Sequence, residues 1–237
     1  MSDFKDKALV LSSGGVDSTT CVAMAVERFG SENVSTVSVY YGQKHSKELA
    51  CAKAVADYYH VKHYEMDLSS VMAYSDCSLL EHSDKEIEHS SYAEQLEEKG
   101  GQGIVDTYVP FRNGLMMSSA AALAMSLYPE DKVHIYLGAH ADDAAGNAYP
   151  DCSRDFTDTM GRAIELGTGG HVVVEAPLVK WNKAGVVKEG LRLNAPYELT
   201  WSCYEGGSKA CGKCATCIDR LEAFRANGVE DPIEYQE

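Results

Sequence analysis

From residue 7 to residue 193, short runs of apolar and β-branched residues alternate with stretches whose small and apolar side chains recur at helical spacing. That alternation constrains this chain more than any other feature, because strands joined through helices pair in parallel and need cover on both faces. KALVL (7–11) reads as a first strand and TTCVAMAVERF (19–29), closed by Gly30, as the helix after it. VSTVSVYY (34–41) gives a second strand, residues 46–59 a helix with Leu49, Ala52, Val55 and Ala56 on one face, and residues 61–66 a third strand. Residues 74–103 break the rhythm: they are polar and Glu-rich, end in Gly100, Gly101 and Gly103, and read as a partly helical insertion or lid. The alternation resumes with a helix at 114–127, a strand at 133–139, a polar loop at 140–151, a helix at 153–166, a strand at 171–176 and a helix at 183–193. The expected architecture is an α/β, mostly parallel sheet with helices on both faces over residues 1–200, with residues 201–237 packed on the same domain as a cysteine-rich segment.

The 237 residues include 45% hydrophobic and 24% charged side chains, the balance of an ordinary folded chain. No apolar stretch approaches the ~20 residues that span a bilayer, and the opening MSDFKDK is polar, so the expectation is a chain without a membrane partner, in the reducing cytoplasm. A net charge of −15 argues against a stable nucleic-acid partner, whose affinity would rest on Lys and Arg contacts to phosphate.

The first strand runs into SSGGVDS, residues 12–18, at the start of the first helix. In a doubly wound sheet that crevice collects ligands, and the helix N-terminus supplies free N–H groups at its positive end. Paired glycines let the backbone wrap an anion, with Ser13, Ser18 and Thr19 adding hydroxyls; a plain strand-to-helix turn with a serine cap is the competing reading. The lysine of a kinase-type phosphate loop is missing here, and no dinucleotide fingerprint follows any candidate strand.

Half of the eight cysteines, Cys203, Cys211, Cys214 and Cys217, fall within fifteen residues. Four thiols so spaced close a tetrahedral site, for which Zn2+ in a structural role is the expected metal. An iron–sulfur cluster also takes four thiolates, but the ferredoxin spacing would need a cysteine at the position of Leu221. The loop HADDAAGNAYPDC (140–152) sets several acids at the carboxyl end of a strand, suited to a cation or a purine-like ring, or simply to solvent. Arg112, in YVPFRN, is placed to fork a carboxylate or phosphate.

SGGVDS after a first strand resembles the pyrophosphate (PP) loop of the N-type ATP pyrophosphatases, which split ATP between the α and β phosphates to adenylate a substrate. Together with YYGQKH, VPFRN, YPDC and YELTWSCYEGGSKACGKCATC, which cover nearly the whole chain, the motifs resemble the QueC family of 7-cyano-7-deazaguanine synthases. The resemblance implies a Rossmann-like fold of the adenine nucleotide alpha hydrolase type. It implies an ATP- and Mg2+-dependent ligase of queuosine biosynthesis that adenylates 7-carboxy-7-deazaguanine, lets ammonia displace AMP, and adenylates the amide again to release the nitrile. Relatives acting on tRNA by thiolation, or forming an amide conjugate, are the alternatives.

Carried onto this chain, the resemblance assigns ATP to Leu11, Ser12, Ser13, Gly14, Gly15, Val16, Asp17, Ser18, Thr19 and Thr20. It assigns substrate or metal contacts to Arg112 and Asp143, a second phosphate contact to Lys183, and the deazapurine to Asn113, Tyr149 and Asp151. A homodimer is also implied. The chain departs from the family pattern at Phe111, where glycine is common, at Ser153 before Arg154, at the extra Asn147 and Ala148, and in the length of 74–103.

Overall fold

In the computed structural model, which describes residues 6–236, five strands form one fully parallel sheet. The first five residues of the polar opening segment, and the last residue, lie outside the described part. The elements run β1 (Lys7–Leu11), α1 (Val16–Phe29), β2 (Val34–Tyr40), α2 (Lys47–Tyr58), β3 (Lys62–Asp67), α3 (Ser69–Met72), α4 (Tyr92–Glu98), α5 (Arg112–Leu127), β4 (Val133–Tyr136), α6 (Arg154–Gly167), β5 (Val172–Glu175), α7 (Lys183–Arg192) and α8 (Ala215–Ala226).

The strand order β3-β2-β1-β4-β5 reverses at β1, whose Ala8 pairs with Val34 of β2 on one side and whose Lys7 pairs with Val133 of β4 on the other. The central strand reads as continuous apolar residues because both of its faces are covered. Leu9 and Leu11 enter a core with Val37, Ile135 and the α5 residues Met117 and Ala120, whereas Ala8 and Val10 enter the opposite core with Val22 of α1, Val186 of α7 and Phe224 of α8. β3, at an edge, is correspondingly polar and half-exposed.

Residues 74–103 contain one two-turn helix, α4, closed by a capping box between Ser91 and Glu94. Much of the remainder crosses the carboxyl edge of the sheet as turns. Leu80 bridges Gln43, the Lys44 N–H donates to the Leu79 carbonyl, and the Gly103 N–H donates to the Gly146 carbonyl. β4 leaves the ladder three residues earlier than its apolar run suggests, because Leu137, Gly138 and Ala139 swing out to line a cavity. α8 lies inside the cysteine-rich segment: the helix starts right after Cys214 and carries Cys217 on its first turn. Among the described residues, no helix is long and apolar enough to cross a membrane.

Candidate active site

A cavity of about 230 Å³ opens at the reversal point of the sheet, where doubly wound folds gather ligands. Leu11, Ser12, Ser13, Gly15, Asp17 and Ser18 line it from the first turn, Gly138, His140 and Asp143 from the loop after β4, and Lys183 from the start of α7. Arg112, Asn113, Tyr149 and Cys203 also reach it.

The turn is held open by its own hydroxyls. Ser18 Oγ accepts from the Ser13 N–H at 3.2 Å and donates to the Gly15 carbonyl at 3.3 Å. Gly14 has φ of +79°, and a Cβ there would collide with the Glu48 carbonyl of α2, so the turn needs glycine at that point. Gly138 is required for a different reason: a Cβ would press on the Ser18 N–H at 3.1 Å, between the β4 loop and the start of α1. The Ser12 and Thr19 hydroxyls are buried without a partner. Four residues of the expected ATP set face away from the cavity. Val16 belongs to the apolar core, Gly14 backs onto α2, Thr19 is fully buried, and Thr20 Oγ1 bonds the Val16 carbonyl and the Tyr197 hydroxyl, at 2.9 and 2.7 Å.

Lys183 and Asp17 form the electrostatic centre. Lys183 Nζ lies 2.6 Å from Asp17 Oδ2 and 3.5 Å from His140 Nε2, in a side chain 11% exposed. Burial pushes the Asp17 carboxyl up, but the Lys183 ammonium and His140 more than offset it and hold the group below its ordinary range. For Lys183, burial works against the charge and Asp17 and Asp143 prevail, raising it. Asp143, 3.3 Å from His140, is instead raised by burial. Asp17 Oδ1 is buried with no hydrogen-bond partner. An unpartnered carboxylate oxygen beside Asp143 is the donor chemistry of a hard divalent cation, so these residues fit magnesium.

Arg112 starts α5, and among the described residues its guanidinium has no carboxylate within ion-pair distance; Nη1 donates to the Tyr41 hydroxyl at 3.0 Å. Phe111 just before it adopts φ of +55°, a left-handed conformation that a bulky side chain rarely takes. The Phe111 ring packs edge-on to Phe156 at 5.6 Å. Asp151 stands behind the cavity wall rather than in it. It is 4% exposed, and its Oδ2 accepts the Asn113 N–H at 2.9 Å, capping the helix that carries Arg112. Asn113 in turn donates to the Cys152 sulfur at 3.1 Å, and burial drives that thiol well above its usual range.

Two acids that no motif flagged also face the cavity. Burial pushes Glu48 of α2 up to about 7 against the pull of Arg112, and Asp219 of α8 up to about 6 against the pull of Lys183. Glu48 follows YYGQKH by three residues and Asp219 follows Cys217 by two, so their only sequence signal was proximity to motifs read for other reasons.

The four cysteines expected to bind metal are brought together. All are buried, their sulfurs lie within 4.8 Å of one another, and Cys211 and Cys217 stand 4.0 Å apart. Zinc–thiolate bonds of roughly 2.3 Å place tetrahedral sulfurs about 3.8 Å apart, so the shell needs only slight contraction. Backbone N–H groups of Cys211, Lys213 and Cys214 point at its sulfurs from 3.2 to 3.3 Å, the donors that support thiolate ligands. The donor set fits zinc. His82 and His89 do not join it: one bonds the Ser75 carbonyl and the other Glu205.

A family model described as queuosine biosynthesis protein QueC matches residues 7–228. The 7-cyano-7-deazaguanine synthase of Caldicellulosiruptor saccharolyticus is 41% identical over 230 residues, which is 97% of this chain and 96% of that relative. The enzyme of the same name from Archaeoglobus fulgidus is 38% identical over 228 residues, 96% of this chain and 89% of that one. Among solved structures, NMN synthetase from Francisella tularensis has a TM-score of 0.50 at 11% identity, covering 96% of this chain and 79% of that chain, a likeness of fold.

Proposed function

The chain belongs to the QueC family, and from that premise we propose that it is an ATP-dependent C–N ligase converting 7-carboxy-7-deazaguanine and ammonia to 7-cyano-7-deazaguanine. What carries this reading at the level of residues is the cavity itself, which joins the SSGGVDS turn to an Arg112 guanidinium with no carboxylate partner. The net charge of −15 disfavours the tRNA-directed alternative. In this reading the enzyme works in the cytoplasm, where its thiols stay reduced, and associates as a homodimer.

The chemistry follows from what each group can do. Arg112 binds the substrate carboxylate and orients one oxygen toward the α-phosphorus of ATP. That oxygen forms the new P–O bond as the α–β bridge breaks. The departing pyrophosphate gathers charge against the N–H groups and hydroxyls of Ser13, Gly15 and Ser18 and against Lys183. Asp17 and Asp143 would hold magnesium, which offsets phosphate charge when bound. Ammonia then attacks the acyl carbon, AMP leaves, and the surplus proton passes to solvent or a cavity carboxylate. A second adenylation, now on the amide oxygen, converts that oxygen into a leaving group. Loss of AMP with the remaining N–H protons gives the nitrile. Asp151 acts from behind, fixing Asn113 and the start of α5.

Incubation with ATP, magnesium, ammonia and 7-carboxy-7-deazaguanine should yield the nitrile, with two AMP released per product by chromatography and mass spectrometry. Formation of ADP, or of a stable amide as the end product, would remove this assignment.

The cysteine shell is structural in this reading. Cys203 belongs to the stretch Trp201, Ser202, Cys203 and Tyr204 that lines the cavity, so a metal there fastens the active-site wall as well as the C-terminal segment. Cys214→Ala should therefore abolish stoichiometric zinc and lower the melting temperature by several degrees. Full metal content with unchanged melting, read by atomic emission and calorimetry, would show that the shell is not the site.

A further inference from the structure

The SSGGVDS turn takes its position from two supports outside itself. On one side Gly14 is pressed so closely on α2 that a Cβ would collide with the Glu48 carbonyl and the Ala52 nitrogen. On the other, the Trp201 N–H donates to the Gly14 carbonyl at 2.9 Å, and a Cβ on Gly15 would meet the Trp201 carbonyl at 3.6 Å. α2 is a regular helix, whereas Trp201 belongs to an irregular strip and needs something else to hold it.

Lys47 is placed to do so. The lysine opens α2, where its charge has the wrong sign for the positive end of a helix. Its ammonium sits instead 3.2 Å from the centre of the Trp201 ring and 3.0 Å from each of the Gly207 and Ser208 carbonyl oxygens. Three N–H hydrogens thus have two carbonyls and an aromatic face as acceptors. The Trp201 indole N–H donates to the Cys203 carbonyl at 2.9 Å, so the ring is pinned at its edge as well as at its face, and the residue is 4% exposed. The loop that supplies the two carbonyls is seated on the same stretch of chain, because a Cβ on Gly206 would collide with the His45 imidazole just before α2. Lys47 is not part of the active-cavity wall; with Trp201, Cys51 and Ile233 it borders a separate hollow of about 280 Å³.

We propose that Lys47 is a positioning residue for the pyrophosphate turn: by seating Trp201 it fixes the Trp201 N–H on the Gly14 carbonyl, and with it the angle at which the turn meets the phosphates. The proposal rests on the ligase reading for the role of the turn, and extends the machinery to a side chain that touches no substrate. A misplacement of about 1 Å at such a site costs on the order of 10²-fold in rate, so a support outside the cavity has a catalytic consequence. The loop between Cys203 and Cys211 also gains a task beyond closing the shell, since its carbonyls hold the lysine.

The test compares wild type with Lys47→Met, which keeps the stem and removes the ammonium, and with Lys47→Arg, which keeps a cation for the ring. Calorimetry with magnesium pyrophosphate and, separately, with 7-carboxy-7-deazaguanine reads the two ends of the cavity. Lys47→Met should weaken pyrophosphate binding on the order of tenfold and slow AMP release at saturating substrates by a similar factor, with acid affinity unchanged. Lys47→Arg should return both values to within about threefold of wild type. If Lys47→Met folds poorly, Trp201→Phe, which loses the indole N–H and offers the lysine a weaker face, decides by the same comparison. Unchanged pyrophosphate affinity in the folded variant overturns the proposal. Equal weakening of both ligands with a lowered melting temperature and lost zinc overturns it too, because that marks a merely structural role. A wild type that binds pyrophosphate but makes no nitrile sinks the ligase reading alone, whereas one that does not bind pyrophosphate sinks this proposal.

Discussion

A double variant carrying Asp17→Asn and Lys183→Met should fold like the parent and lose ATP-dependent turnover by about 10³-fold or more. The pair is the best-defined charged contact in the cavity, 2.6 Å between Nζ and Oδ2, and both side chains are mostly withdrawn from water. Such a contact gives little net stability, because the attraction is spent on desolvating two charges; replacing both partners together is close to neutral for folding. Its role in turnover is different in kind. A pre-placed ammonium meets the charge that develops on departing pyrophosphate without reorganising, and removing one such group costs 10²–10³ in rate. The single Lys183→Met is a poorer probe. Burial already pushes the Asp17 carboxyl up, and without the ammonium that influence prevails, so the variant protonates Asp17 or loses stability. AMP release at saturating substrate, alongside melting by circular dichroism, separates the two effects. If the double variant kept a tenth of the parental rate, pyrophosphate would have to depart from elsewhere in the cavity.

The alternation of apolar runs and helical stretches was enough to place the sheet, and SSGGVDS, VPFRN and the first of the four cysteines mark part of the cavity wall. Those features are local, since each is carried by neighbours in sequence whose spacing has a direct structural meaning. What stayed hidden depends on partners brought together by folding. Glu48 and Asp219 look like surface acids on helices, and only the reversal of the sheet at β1 turns them toward one cavity. Asp151 sits among loop acids in sequence, yet the fold spends its carboxylate on the start of α5. Lys47 reads as a surface lysine at a helix start, and only folding sets it on the Trp201 ring. α8 was concealed for a related reason. Its buried face carries Arg220 where an amphipathic pattern would carry an apolar residue, so the period is broken by the side chain that matters most there.

Arg220 is therefore the site of the largest expected stability change. Its side chain is fully buried and that of Asp231 is 1% exposed; Nε and Nη2 donate to the two carboxylate oxygens at 2.6 and 2.9 Å. Nη1 reaches Thr200 Oγ1 at 2.8 Å and Ser202 Oγ at 3.3 Å, and Nη2 also donates to the Tyr197 carbonyl at 3.3 Å. One guanidinium thus ties α8, the C-terminal tail and the strip leading into Cys203, and Ser202 on that strip lines the cavity. Arg220→Met should cost about 3–5 kcal/mol, because it leaves the Asp231 carboxylate buried with only the Tyr235 hydroxyl and the Ile233 N–H as donors. Adding Asp231→Leu to Arg220→Met should return part of that loss, since the uncompensated carboxylate is then gone as well. Urea unfolding of the two variants and the parent measures this directly. Equal stability of the single and double variants would mean that the hydroxyl and carbonyl contacts of Arg220, rather than its charge, hold the segment in place. In either case the loss should reach the cysteine shell, because the strip that Arg220 anchors ends in its first ligand.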